Sequence, residues 1–146
     1  MIGLILTGHG EFAVGVGHAL EMIAGKQTAY KVVPFLESDS IETLENNLRD
    51  AMKELQEKTE GIVVFADLLG GSPFKSAMVA SMDFENVEVV VGTNLPMLIE
   101  IAMLREFASS AQDIVTQSLT AGREAIQRVS LPTPHNEVVE EGIDGI

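Results

Sequence analysis

Four short runs of Val, Ile and Leu alternate along the chain with longer stretches in which apolar residues recur every three or four positions. The runs at 2–6, 29–35, 62–66 and 87–91 have the length and the β-branched content of buried strands. The stretches between them predict helices. One covers about 11–24, with Phe12, Val16, Leu20 and Ile23 on one face and Gly25 as its stop. The plainest spans about 40–58, with a stripe of Ile41, Leu44, Leu48, Met52 and Leu55. Asp39 and Glu42 have the spacing of a capping box before it, and Glu45–Arg49 and Glu54–Lys58 are favourable pairs on its wet side.

Ser72 as N-cap and Pro73 at the first helical position open a helix running to about Met82. Another opens at Pro96, where Met97, Leu98, Ile101, Met103 and Leu104 make it apolar almost all round and predict extensive burial. A fifth begins near Ser110, with Asp113 completing its capping pattern. Arg123 to Leu131 fits either a continued helix or a short strand.

Strands joined by helices of this length imply parallel pairing with right-handed crossovers. Continuous apolar strands imply a sheet covered on both faces. The expected fold is therefore α/β, a four-stranded parallel sheet between two layers of helices; with strands one and three as neighbours and strand two outside strand one, its order is 2-1-3-4. In that order the chain reverses direction between strands one and three. The crevice at such a reversal is where open α/β sheets place ligands and chemistry.

The two loops bordering the crevice carry reactive equipment. His9 follows the first strand between Gly8 and Gly10, which leave room for another molecule to approach the ring. Asp67 ends the third, and Leu68-Leu69-Gly70-Gly71-Ser72-Pro73-Phe74 turns from it into a helix. A lone histidine in a turn is commonly just a polar loop residue; a carboxylate and a helix N-terminus on the facing loop change that reading. A carboxylate accepting from Nδ1–H would leave Nε2 as a nucleophile and stabilise the charge that develops on phosphorylation. Ser72, the neighbouring amides and the Gly70-Gly71 turn would supply donors to phosphoryl oxygens. The chain has no Lys-containing P-loop and no metal-ligand cluster, which points to another protein, rather than ATP with Mg²⁺, as phosphoryl donor.

Composition narrows the class. With 146 residues, 46% of them hydrophobic, the chain can bury one ordinary core. It has no cysteine, which excludes disulfides and thiolate metal sites. A formal charge of −13 argues against a nucleic-acid partner. No apolar run reaches spanning length and no signal-peptide pattern opens the chain, so a cytoplasmic location without membrane insertion is expected. No metal site is expected, since His9, His18 and His135 are scattered, and transfer between histidines of docked proteins would need no cofactor.

Over about 1–130 the chain resembles the IIA proteins of the mannose-type branch of the bacterial sugar phosphotransferase system. The resemblance is carried by Gly8-His9-Gly10, the stretch from Asp67 to Phe74, Gly92-Thr93-Asn94-Leu95-Pro96-Met97-Leu98, and Gly122-Arg123-Glu124. It implies that His9 accepts phosphate from phospho-HPr and passes it to a IIB protein, and through it to a membrane IIC/IID permease. It also implies that Asp67 orients His9, that Ser72 lies beside it, and that a fifth, antiparallel strand is exchanged in a homodimer. Residues 131–146, acidic and proline-containing, are expected to form a tail after a 1–130 domain, leaving IIB as a separate chain.

Two rivals share the same residues. One is the related phosphocarrier subunit of a dihydroxyacetone kinase, with the same fold and a different acceptor. The other is a metabolite-binding or hydrolytic module using His9 and Asp67 as an acid–base pair. His18 reads as an ordinary helix residue, His135 as a tail residue, and the seven methionines as core filler. Asn94 and Pro96 either border the site or simply start a helix. Phe12, Leu68, Leu69 and Phe74 fit an apolar contact rim or the core. Which sugar the system serves cannot be read from the chain.

Overall fold

The computed structural model describes residues 1–132. Its elements follow the order β1 (Gly3–His9), α1 (Phe12–Ala24), β2 (Tyr30–Phe35), α2 (Ile41–Gln56), β3 (Ile62–Phe65), α3 (Ser72–Ser81), β4 (Val87–Val90), α4 (Leu95–Leu104) and α5 (Ala111–Glu124). The four strands form one parallel sheet in the order β2-β1-β3-β4. Ile2, Leu4, Leu6, Val63 and Phe65 pack beneath α1, α4 and α5, while Ile5, Val33, Ile62 and Val64 pack beneath α2 and α3. Alternation along β1 thus feeds two cores, as an interior parallel strand must.

β1 runs three residues beyond the apolar run. Thr7, Gly8 and His9 stay in the sheet because β2 continues beside them, pairing Val33, Pro34 and Phe35 with these three positions. His9 is therefore the last residue of a strand rather than part of a free turn. Gly10 then takes φ +57°, a left-handed conformation that favours glycine, and its N–H donates to the Phe35 carbonyl.

Several local expectations change. Ser40, not Asp39, caps α2: its Oγ accepts from the Thr43 N–H at 3.0 Å, while Asp39 accepts from the Leu36 N–H. Ile41, at the first turn, stays exposed. The buried face of α1 is Ala13, Gly17 and Leu20, with Ile23 outside it; the small residues let the helix lie over the sheet and the Tyr30 hydroxyl. Met103 faces outward, although Met97, Leu98 and Ile101 are buried as expected. Ser110 caps α5, whose helix ends at Glu124, and residues 126–132 form neither helix nor strand. From residue 133 onward the expected tail, His135 included, lies outside the described residues.

Arg105, at the end of α4, is 3% exposed. Its guanidinium donates to the carbonyls of Ile2, Ala29 and Thr28 and to Oε1 of Gln27. It ties the beginnings of β1 and β2 to the helix layer at the end of the sheet remote from His9.

Candidate active site

His9 and Asp67 meet at the carboxyl end of the sheet, brought together by the pairing of β1 with β3. The ring Nδ1 lies 2.7 Å from Asp67 Oδ2. An ionised carboxylate can only accept, so Nδ1 carries a proton, and in the neutral ring the lone pair is on Nε2. The His9 backbone N–H donates to the same Oδ2 at 2.9 Å, and the Leu68 N–H donates to Oδ1 at 2.9 Å. Burial opposes the charge on Asp67, but the bonds from the His9 backbone and ring and from Leu68 outweigh it. The net effect holds its carboxyl below the usual carboxylate range. The His9 side chain is 48% exposed and Asp67 only 12%, so the carboxylate is shielded while the imidazole stays open.

Ser72 is not the cap of α3. Gly71 occupies that position with extended backbone, φ −74° and ψ 165°, and no side chain caps the helix. Ser72 is its first residue and Pro73 follows. The first helical hydrogen bond runs from the Lys75 N–H to the Gly71 carbonyl. The hydroxyl of Ser72 is thereby released from capping, and the amides of Ser72 and Phe74 have no partner among the described residues. Gly70, at φ +83°, makes the turn that sets this helix start against the histidine.

Three further residues shape the site, of which Phe35 has no local sequence signal. Phe35 meets the His9 ring edge to face, with centroids 6.1 Å apart. Thr93 donates through Oγ1 to the Ala66 carbonyl at 2.6 Å, bracing the residue before Asp67. Gly71 has no side chain where one would touch the imidazole: a Cβ there would lie 2.7 Å from Cε1 and 3.4 Å from Nε2. Gly8 is confined likewise, by Phe12 on one side and Asp67 on the other.

Asn94 starts a helix. Its Oδ1 accepts from the Met97 N–H and its Nδ2 donates to the Gly122 carbonyl, joining α4 to α5. Gly122 permits that closure, because a Cβ there would run into Met97. Pro96 is exposed in the first turn of α4. Leu68 and Leu69 are open to solvent at 50% and 70%, whereas Phe12 and Phe74 are half-buried. His18 is exposed on α1. No group of three potential metal-ligating side chains occurs among the described residues, and no described helix is long and apolar enough to cross a membrane.

The profile of the EIIA-man family, described as the PTS system fructose IIA component, matches residues 3–119. The chain belongs to this family. It is 32% identical over 106 residues to the fructose-specific EIIA component of Bacillus subtilis, covering 73% of this chain and 72% of that protein. It is 31% identical over 126 residues to the mannose-specific EIIAB component of Escherichia coli K12, covering 86% of this chain but only 39% of that protein. The structure of a mannose/sorbose-specific IIA subunit from Enterococcus faecalis superposes with a TM-score of 0.81 at 28% identity, covering 90% of this chain and 97% of the other. The chain is thus a IIA component of the mannose family, and the four segments that carried the resemblance divide in two. Gly8 to Gly10 and Asp67 to Phe74 build the site; Asn94 and Gly122 lock α4 to α5.

Proposed function

We propose that this IIA component is a phosphohistidine carrier in bacterial sugar uptake, with Nε2 of His9 as the phosphorylated atom. The observation that carries the reading is the Nδ1–Asp67 bond, which fixes the tautomer and leaves an exposed Nε2 beside uncapped amides of α3. The donor is phospho-HPr. As the Nε2–P bond forms, the N–P bond of the donor histidine breaks and its electron pair returns to that nitrogen. The Nδ1 proton stays with the ring, and Asp67 balances the positive charge the phosphorylated imidazole acquires. Ser72 and the amides of α3 receive phosphoryl oxygens, so transfer needs positioning and charge stabilisation but no cofactor.

The acceptor is a IIB protein, from which the phosphate serves the IIC/IID permease; the carrier itself works in the cytoplasm. A homodimer completes the fold, with the segment after α5 crossing to the partner subunit as a fifth, antiparallel strand. The outer edge of β4, which no strand covers among the described residues, and the exposed Ile126, Val129 and Leu131 favour that exchange.

Intact mass after incubation with phosphoenolpyruvate, enzyme I and HPr tests the reading. One acid-labile phosphate per chain is expected on the wild type and none on His9→Ala. Phosphate retained by the variant would refute His9. Phosphorylated HPr beside an unmodified wild type would bring forward the metabolite-binding module. Transfer onward to the nucleotide-bound subunit of dihydroxyacetone kinase, and not to IIB, would identify the other rival.

A further inference from the structure

We infer that Gly71 is a positioning residue of this site, required because the absence of a side chain there lets the His9 ring keep its bond to Asp67 while lying against the start of α3. The inference rests on the phosphocarrier reading only for its consequence on transfer; its geometric part stands alone.

The backbone at Gly71 is ordinary. Its φ of −74° and ψ of 165° are open to any residue, unlike Gly10 and Gly70, whose positive φ accounts for them. Conformation therefore does not explain glycine at this position, and neither does the core, since Leu68 Cδ2 would sit at an unstrained 3.6 Å from a Cβ. What a Cβ meets first is the imidazole, at 2.7 Å from Cε1, closer than van der Waals contact allows.

The ring cannot yield without loss. Asp67 holds it through Nδ1 on one side, and Phe35 lies against it in an edge-to-face contact. Rotation away from a Cβ would lengthen the 2.7 Å Nδ1–Asp67 bond and carry the ring, Nε2 included, off the start of α3 at Gly71. Retreat of α3 would instead leave the ring in place and withdraw the amides of Ser72 and Phe74. In either case the nucleophile and its oxyanion donors separate, and displacements near 1 Å at a reacting centre can cost on the order of 10²-fold in rate.

Gly71→Ala and Gly71→Ser test this together. Both add the Cβ, but serine is a strong helix N-cap and alanine a poor one. A role confined to helix stability predicts that serine restores function; a steric role predicts that neither does. Initial rates of phosphorylation by phospho-HPr should fall at least about tenfold in both variants, with thermal unfolding of Gly71→Ser no lower than that of wild type. The ¹⁵N spectrum of His9 supplies a readout independent of transfer. Wild type should show one tautomer, protonated at Nδ1, and both variants a mixture or an altered Nδ1 proton signal. Wild-type rates and spectra in both variants would overturn the inference, as would rescue by serine alone. Changed spectra in the variants, with wild-type protein that takes no phosphate, would refute the phosphocarrier reading and leave the positioning role intact.

Discussion

A single carboxylate organises the histidine. Asp67 accepts three hydrogen bonds, two of them from His9, so it locates the residue through its backbone and orients it through its ring. Asp67→Asn keeps the size but removes the charge, and its single amide oxygen cannot accept from the His9 ring, the His9 N–H and the Leu68 N–H as the two carboxylate oxygens do. Phosphoryl transfer should fall by about 10²-fold, within the range lost with a positioned proton partner, read as the initial rate from phospho-HPr. The same carboxylate carries an acid dependence. Its folded pKa is depressed, so its stabilisation is fully present above the ordinary aspartate value, about 3.9, and is lost as pH falls through the lower folded value. Urea midpoints measured from pH 6 downward should therefore drop for the wild type below about pH 4, and drop less for Asp67→Asn. An identical acid limb in the two proteins would show that the bond contributes nothing to stability.

Among the elements, the least expected arrangement is the buried arginine at the end of α4. Among the described residues Arg105 has no acidic partner at hydrogen-bonding distance; carbonyls hold it instead. Its neighbour Tyr30 is pushed up to about 12 by burial and by the nearby Glu21, with Arg105 acting in the opposite direction. The tyrosine therefore stays neutral throughout the physiological range. Arg105→Ala would take a donor from the buried Ile2 carbonyl and from those of Thr28 and Ala29, the last of which keeps the Leu4 N–H, at about 1–3 kcal/mol for each group that water cannot reach. A loss of roughly 3 kcal/mol is expected from chemical denaturation. Because the residue lies at the remote end of the sheet, His9 phosphorylation should persist in the folded fraction. The local pattern did not point to this residue. Arg105 follows a strongly apolar helix, where periodicity predicts a solvated terminus, and only the return of β1 and β2 to the same corner buries it.

Across the molecule, the two sheet edges differ. β2 carries Pro34, which offers no N–H, and Lys31, paired with Glu54 of α2 at 2.7 Å, so this edge is a poor template for another strand. β4 offers Val87, Glu88, Val89 and Val90, without proline or lysine, and no strand covers its outer side among the described residues. An open apolar edge of this kind is where strand exchange would close the sheet. Sedimentation of the full chain should give a dimer, and removal of residues 126–146 should give monomers or poorly soluble protein. A full-length monomer, or a dimer unchanged by the deletion, would remove the exchange from the proposal.

How far the chain could be read follows from the range of the forces involved. Strand and helix periodicities depend on neighbours a few positions away, so four strands and five helices are visible in the residues, and taking strands one and three as neighbours gives the order 2-1-3-4 that the sheet has. That order put the loops of His9 and Asp67 on one crevice before any distance was known. Details governed by distant partners were not available in this way. Whether β1 stops at Leu6 or continues through His9 depends on β2, and whether Ser72 caps α3 depends on how the Gly70-Gly71 turn meets the imidazole. The His9–Asp67 bond spans 58 positions and the Arg105–Ile2 bond 103. Local pattern therefore established which groups were present and on which side of the sheet they would lie. Packing between distant segments established the tautomer, the room beside the ring at Gly71, and the burial of the arginine, because each depends on atoms that come together only once the sheet has closed.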